Sequence, residues 1–216
     1  MDLPSGESHS DASTHRPTAA SVWVGRVFLI VWIPLLVAGI ATLMVGHWVQ
    51  LPKPAVADER LDAALGAIEP VDVAAAGEWT TYHVLYADCR CSRRVVTHLL
   101  ESERPDDLAE VVLLVGEDEG LVEACRDAGF EVLPLTQAQL EERFGVESAP
   151  LLVVMDPNGT SRYVGGYTDR KQGLNHRDLE FVARLRAGEE IESLPVYGCG
   201  VSASLQESLD PLGVKY

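Results

Sequence analysis

Residues 140–166 read LEERFGVESAPLLVVMDPNGTSRYVGG, and this stretch decides the predicted fold. It contains two apolar segments, at residues 151–155 and 161–164, joined by a turn that includes Asn158 and Gly159. An Asn-Gly pair between apolar runs is the strongest short sequence signal for a β-hairpin, because both residues accept the positive φ angles that a tight turn requires. The stretch therefore predicts two adjacent antiparallel strands.

Segments with strand and helix patterns alternate on the N-terminal side of this hairpin, and one more helix follows it. Strands that are joined through a helix normally run parallel to one another, whereas the two strands of a hairpin are antiparallel. The order β-α-β-α-β-α-β-β-α thus predicts an α/β domain with a mixed sheet and helices on both faces. The earlier strands are predicted at residues 80–87, 110–115 and 130–135, and the helices at 92–102, 120–128, 137–144 and 176–187.

An uncharged apolar run, VFLIVWIPLLVAGIATLMVG, occupies residues 27–46. Its length is about what a helix needs to cross the hydrocarbon core of a bilayer. Trp23 and Trp48 flank it, as aromatic residues do at the two membrane interfaces. We expect a retained transmembrane helix rather than a cleaved signal peptide. The run exceeds the usual signal core of about 7–15 residues, and the Ala-x-Ala motif at residues 55–57 lies well beyond its end.

The net charge of −16 lies entirely after residue 54, since residues 1–54 contain three basic and three acidic side chains. Such an acidic domain is repelled by phosphate backbones, so we expect no nucleic-acid partner. The predicted organisation is a disordered N-terminal tail at 1–26, a transmembrane helix at 27–46, a linker at 47–79, the α/β domain at 80–187 and an irregular C-terminal tail at 188–216 that contains Cys199.

Cys89 and Cys91 are separated only by Arg90, directly after a predicted strand and directly before a predicted helix. A thiol at a helix N-terminus lies at the positive end of the helix dipole, and nearby cations such as Arg93 and Arg94 favour the thiolate further. We therefore predict a reactive pair that cycles between dithiol and disulfide. At least one of the two thiols should have a pKa below the usual value of about 8.5.

Three alternatives to this redox pair remain open. A permanent structural disulfide is disfavoured, because a bridge between cysteines two positions apart closes a small, strained and easily reduced ring. Two thiolates suit Cu(I) or zinc, but no His or Met lies within the motif, so we predict no metal ligands and no cofactor. The third alternative is a non-catalytic interaction module. Ser92 is predicted to cap the following helix, and Cys125 to be a small buried apolar residue.

Two segments of the chain resemble the thioredoxin-like superfamily. Residues 81–91, TYHVLYADCRC, are similar to the strand and redox motif of that family, and residues 140–166 are similar to its second signature. The similarity covers roughly residues 80 to 187 and implies a thioredoxin-like sheet with thiol–disulfide oxidoreductase or isomerase activity. The second signature is carried by Phe144-Gly145-Val146, Pro150, Asn158-Gly159 and Gly165-Gly166.

The resemblance also implies roles for individual residues. Cys89 and Cys91 fall at the redox pair, with Arg90 between them as an accessory residue. Pro150, after Ala149, falls at the cis-proline that faces the cysteines and presents backbone to an extended substrate. Ala149 and Pro150 are therefore predicted to bind substrate, and the implied partners are protein or small-molecule thiols and disulfides.

The chain departs from the family pattern at several positions. The motif is C-x-C rather than C-x-x-C, and Val84 stands where thioredoxins bury an aspartate. The overall plan resembles bacterial membrane-anchored RedB-like proteins, whose tail usually carries a close cysteine pair. Here Cys199 is present and Val201 stands where a partner would be. We expect Cys199 to be an accessory redox thiol that swings toward the motif, since Gly198 and Gly200 make the backbone around it flexible.

Together these features predict a membrane-anchored thiol–disulfide oxidoreductase, with a copper- or zinc-handling protein or an interaction module as the alternatives. We expect Cys91 to be the more acidic thiol and Cys89, being exposed before the helix, to attack the substrate. The basic residues that flank the apolar run are balanced, two before it and two after it, so they do not set its orientation. We expect the soluble domain to face the exterior or periplasmic side of a bacterial inner membrane, because disulfides persist there.

Overall fold

The computed structural model describes residues 19–48, 50–68, 79–210 and 213. Most of the predicted disordered tail lies outside these residues. The chain divides into two compact units, residues 1–45 and residues 46–216.

Helix α1, Ala19–Trp48, makes up the described part of the first unit, ends three residues beyond it and runs through the predicted membrane span. Within it, residues Trp23–Thr42 have a mean hydropathy of 2.2, and their large apolar side chains are exposed. A helix that is apolar on every face exposes no polar surface to water, but all of its faces are compatible with the hydrocarbon core of a bilayer. By length and composition α1 can therefore cross a membrane.

The second unit contains a five-stranded mixed sheet with the order β3-β2-β1-β5-β6. Strands β1, β2 and β3 run parallel, while β5 pairs antiparallel with both β1 and β6. The strands are β1 Thr80–Tyr86, β2 Ala109–Val115, β3 Glu131–Leu135, β4 Ser148–Ala149, β5 Leu151–Met155, β6 Ser161–Gly165 and β7 Cys199–Gly200. The helices are α2 Glu59–Gly66, α3 Arg90–Glu101, α4 Glu119–Asp127, α5 Gln137–Gln139 (which continues into a π-helical turn, Leu140–Phe144), α6 Asp178–Arg186 and α7 Ala203–Leu209.

Both faces of the sheet are covered. Every residue of β2 and β5 is buried, as is usual for central strands, and this includes the charged Glu110 of β2. One core includes Leu113, Phe144 and Leu151, and the opposite core includes Tyr163 and Phe181. The predicted α/β class, with a mixed sheet and helices on both faces, is confirmed.

The hairpin that joins β5 and β6 turns at the predicted residues, although Asn158 does not share the positive φ of Gly159. Gly159 adopts a φ of 77°, which only glycine accepts readily. Asp156 Oδ1 accepts hydrogen bonds from the backbone N–H groups of Asn158 at 2.9 Å and Thr160 at 3.1 Å. These bonds close the turn and fix the register of the two strands.

Residues 188–210 contain regular elements, whereas an irregular tail was predicted. They contribute β7, which pairs with β4, and α7, which begins after the cap Ser202. Val201 is fully buried against the core. A two-residue strand has no detectable period, and its partner lies about fifty residues earlier in the sequence, so the local pattern did not reveal it.

Candidate active site

Cys89 and Cys91 lie at the junction between β1 and α3. Cys89 is the residue that precedes the first turn of the helix, and Cys91 lies within that turn. The prediction that Ser92 caps the helix is wrong, because the helix begins two residues earlier, at Arg90. Ser92 is buried instead, and its Oγ accepts a hydrogen bond from the backbone N–H of Tyr86 at 3.0 Å. This bond ties the end of β1 to α3 and so fixes the loop that carries both cysteines.

Cys89 is fully buried, and other cysteines contact its sulfur. The thiols of Cys199 and Cys91 donate hydrogen bonds to it and hold the pKa of Cys89 well below its ordinary value. Burial opposes this shift, while the backbone N–H groups of Ser92 and Cys91 at the helix N-terminus add to it. The lowered pKa of Cys89 agrees with the expectation that at least one thiol of the pair is acidic.

The three arginines near the motif are exposed and contribute less than expected. Arg93 donates from Nε to the carbonyl of Ala87 at 3.0 Å, and its Nη2 pairs with Asp118 at 3.0 Å. The largest causes of the low Cys89 pKa are thiols and backbone N–H groups. The positively charged side chains that the sequence indicated therefore lie in solvent. Arg90 and Arg94 are on the same exposed side of the helix.

The Ala149–Pro150 peptide bond is cis, as the resemblance implied. Ala149 is fully buried, and its carbonyl oxygen lies 3.9 Å from the Sγ of Cys89. Pro150 lines a cleft together with Cys91, Arg94 and other residues, and Cys91 is partly exposed there. The structure thus brings both cysteines next to Ala149 and Pro150. The catalytic role of the cysteines and the substrate-binding role of Ala149 and Pro150 stay predictions.

Cys199 lies beside the same sulfur, on β7. In the antiparallel pair of β4 and β7, Cys199 is opposite Ala149 and Gly200 is opposite Ser148. Gly198 packs so closely on this edge that a Cβ there would lie 1.8 Å from the carbonyl oxygen of Ala149. The glycines around Cys199 thus permit a close backbone approach, whereas the sequence had suggested flexibility. They were the one signal that could have revealed the docked strand.

A buried ionic cluster lies apart from the cysteines, and the sequence did not reveal it. Arg104 donates to Glu110 Oε2 at 2.8 Å and to Asp178 Oδ2 at 2.8 Å. His83 bridges Glu110 and the hydroxyl of Tyr167. Burial raises the pKa of Glu110, but the hydrogen bonds from Arg104 and His83 outweigh it and bring that pKa to about 2.

Two other observations bear on the alternatives. Cys125 is fully buried among apolar residues, as predicted, and burial raises its pKa. Within residues 19–48, 50–68, 79–210 and 213, no group of three or more His, Cys, Asp or Glu side chains is arranged to hold a metal ion.

No protein-family model matches the sequence, and no curated protein matches it. An uncharacterized conserved protein of Geobacillus kaustophilus is similar in structure, with 17% identity, 71% of this chain and 90% of that chain covered, and a TM-score of 0.46. A thiol:disulfide interchange protein of a Bacteroides species has 13% identity, covers 66% of this chain and 91% of its own, and gives a TM-score of 0.39. A secreted disulfide oxidoreductase of Mycobacterium tuberculosis has 15% identity, covers 51% and 82%, and gives a TM-score of 0.37.

Similarity at this level says nothing about activity. The mixed sheet with helices on both faces and the cis-proline beside the cysteines, both expected from the sequence, are present in the structure. The finer resemblance to RedB-like proteins is not confirmed.

Proposed function

We propose that this protein carries out thiol–disulfide exchange from a membrane anchor, with Cys89 and Cys91 as its redox pair. One observation carries the proposal: the Cys89 sulfur lies at a helix N-terminus, 3.9 Å from the carbonyl oxygen that precedes the cis-proline and beside the thiols of Cys91 and Cys199. A thiolate is the nucleophile in disulfide exchange, and hydrogen bonds from neighbouring groups stabilise it. If Cys89 were instead an inert buried thiol, burial would raise its pKa, as it raises that of Cys125.

The two cysteines take different roles because their exposure differs. Cys89 has no accessible surface, whereas Cys91 lines the cleft beside Pro150. A substrate disulfide must approach the attacking sulfur, so the proposal assigns the first attack to Cys91, although the sequence had favoured Cys89. Cys89, whose thiolate is stabilised beside it, then serves as the resolving thiol.

The exchange proceeds in two balanced steps. The Cys91 thiol gives its proton to water and its sulfur attacks one sulfur of the substrate disulfide, while the other substrate sulfur leaves as a thiolate and takes that proton up. The Cys89 thiolate then attacks the Cys91 sulfur and forms the Cys89–Cys91 disulfide, and the second substrate sulfur leaves as a thiolate that takes a proton from water. The substrate gains two electrons and the protein loses two, and the reverse sequence donates a disulfide.

The direct test uses the full chain in detergent and 2-hydroxyethyl disulfide as the substrate. We expect the oxidant to remove two of the four titratable thiols and dithiothreitol to restore both, because thiol–disulfide exchange with an added dithiol reverses the oxidation. A Cys125→Ala variant, altered outside the site, should lose the same two thiols. Thiols that stay inert in the folded protein would contradict the proposal, as would copper or zinc bound in stoichiometric amount after purification.

A second prediction concerns the side of the membrane on which the domain lies. We expect residues 52–216 to be extracytoplasmic, since a redox pair that forms disulfides functions where disulfides persist. A C-terminal alkaline phosphatase fusion should be active in a bacterial host, and a C-terminal green fluorescent protein fusion should be dark. A fluorescent, phosphatase-negative pair of fusions would place the domain in the cytoplasm.

A further inference from the structure

We infer that β7 is an internal substrate strand, and that Cys199 takes over the disulfide from the C-x-C pair so that oxidation ends in a Cys89–Cys199 bridge. The inference rests on the proposed exchange at Cys89 and Cys91, and it adds a third residue to the reaction. It differs from the flexible relay that the sequence suggested, because the structure holds Cys199 in place.

The pairing of β7 places it where an extended substrate was expected. The backbone of Ala149 was predicted to pair with a substrate strand, and in the structure it pairs with β7 of the same chain, opposite Cys199. The carbonyl of Ala149 also approaches the Cys89 sulfur, at 3.9 Å. A cysteine opposite Ala149 is therefore presented to Cys89, and the contact between the two thiols is direct.

Contacts on the far side of Cys199 keep β7 docked. The backbone N–H groups of Val201 and Ser202 both donate to the carbonyl of Glu147, at 2.6 Å and 3.3 Å. The side-chain amide of Gln206 donates to the carbonyl of Gly200 at 3.0 Å. Together with the burial of Val201, these bonds hold Cys199 beside Cys89 without any movement of the tail.

This arrangement permits one further exchange after the Cys89–Cys91 disulfide has formed. The Cys199 sulfur attacks the Cys89 sulfur, the Cys89–Cys91 bond breaks, and the Cys89–Cys199 bond forms. Cys91 leaves as a thiolate and takes the proton that Cys199 gives up, so the step needs no external oxidant. It is favourable because it opens a small strained ring, and it is fast because the attacking thiol is already in place.

The positions of the basic residues make the outcome easy to read by mass spectrometry. The oxidised full chain, blocked with N-ethylmaleimide, is digested with trypsin. Because Arg90 lies between the two cysteines, cleavage after it separates Cys89 from Cys91, while Cys199 lies on a third peptide after Arg186. Each of the three possible bridges therefore gives a different linked mass. We expect the Cys89–Cys199 peptide to exceed the Cys89–Cys91 peptide by about tenfold or more, since strained bridges are the more easily reduced.

Two variants test the strand itself. Gly198→Ala introduces a methyl group against the carbonyl of Ala149, so it should displace β7 and return the bridge to Cys89–Cys91. Gly66→Ala is the matched control, because a Cβ at Gly66 meets nothing within 4 Å. Cys199→Ser should give the same Cys89–Cys91 bridge without disturbing the backbone, so the test does not depend on how Gly198→Ala folds.

The failures of the inference and of the proposed function can be told apart. If the wild-type chain forms only the Cys89–Cys91 bridge, the inference is overturned and the exchange at the pair stands. If none of the three bridges forms reversibly, both fall. A Cys89–Cys199 bridge that persists in Gly198→Ala at the wild-type level would also overturn the inference, since β7 would then not be what positions Cys199.

Discussion

A Cys91→Ser variant is expected to react with 2-hydroxyethyl disulfide more slowly than the wild-type chain, by on the order of 10³-fold, because a hydroxyl does not attack disulfides at neutral pH. The remaining thiolate, Cys89, has no accessible surface, so it does not replace the lost nucleophile. The measurement is the second-order rate constant for loss of free thiols. Cys125→Ala is the control that should react at the wild-type rate.

The companion variant Cys89→Ser should behave differently. Cys91 keeps its place in the cleft, but the thiol that resolves the mixed disulfide is gone. We expect an adduct of mercaptoethanol on Cys91 to accumulate, visible as a mass increase that dithiothreitol reverses. If the adduct instead forms on Cys89 in the Cys91→Ser variant, at a rate close to that of the wild type, the order of attack is the reverse of the one proposed.

Local sequence patterns were sufficient for the parts of the fold whose partners are near in the chain. The hairpin between β5 and β6 was predicted from Asn158 and Gly159, and the junction that carries Cys89 and Cys91 from the change of period after β1. Where a prediction was off by two residues, as at the start of α3, the role of Ser92 changed from a helix cap to a bond with the end of β1. Helix boundaries depend on such single contacts, and the residue types alone do not fix them.

The site was predicted less completely because its third thiol is held by non-local pairing. The glycines beside Cys199 are compatible with a close approach of another strand, but they do not identify Ala149 as the partner, since β4 and β7 are only two residues long. The exposure of Cys89 was misjudged for the same reason, because Ala149 and the tail that cover it are distant in sequence. The buried ionic cluster was missed because Arg104 and Asp178 are 74 residues apart.

That cluster gives the largest expected effect on stability. Arg104 is the guanidinium shared by Glu110 and Asp178, and both carboxylates are almost completely buried. Although burial raises both pKa values, the bonds to Arg104 and neighbouring histidines hold them below the ordinary range. We expect Arg104→Met to lower the free energy of unfolding by about 3–5 kcal/mol at pH 7, because it leaves two buried carboxylates without their shared cation.

The control for this variant is Arg184→Met. Arg184 pairs with Glu189 and Glu180, but these partners are about half exposed, and exposed ion pairs contribute only about 0–1 kcal/mol. Pulse proteolysis of the full chain in detergent across a urea series measures the unfolding equilibrium of both variants. A loss for Arg104→Met no larger than that for Arg184→Met would contradict the prediction.

The difference in free energy of unfolding between the wild type and Arg104→Met should become smaller as the pH falls. In the wild type, the folded pKa values of Glu110 and Asp178 lie below their unfolded values, so their contribution is fully present above about pH 4 to 5 and is lost only as the pH falls through the folded values. In Arg104→Met, burial without the guanidinium raises both pKa values, and the folded variant takes up protons at a higher pH than its unfolded chain. Acidification from pH 7 toward pH 4.5 therefore stabilises the variant relative to the wild type. We expect the difference in free energy of unfolding between the two proteins to narrow over this range.

His83 and His98 contact the same carboxylates and are present in both proteins. A difference in free energy of unfolding that stays constant or widens would therefore mean that Arg104 stabilises the fold through packing rather than through its charge.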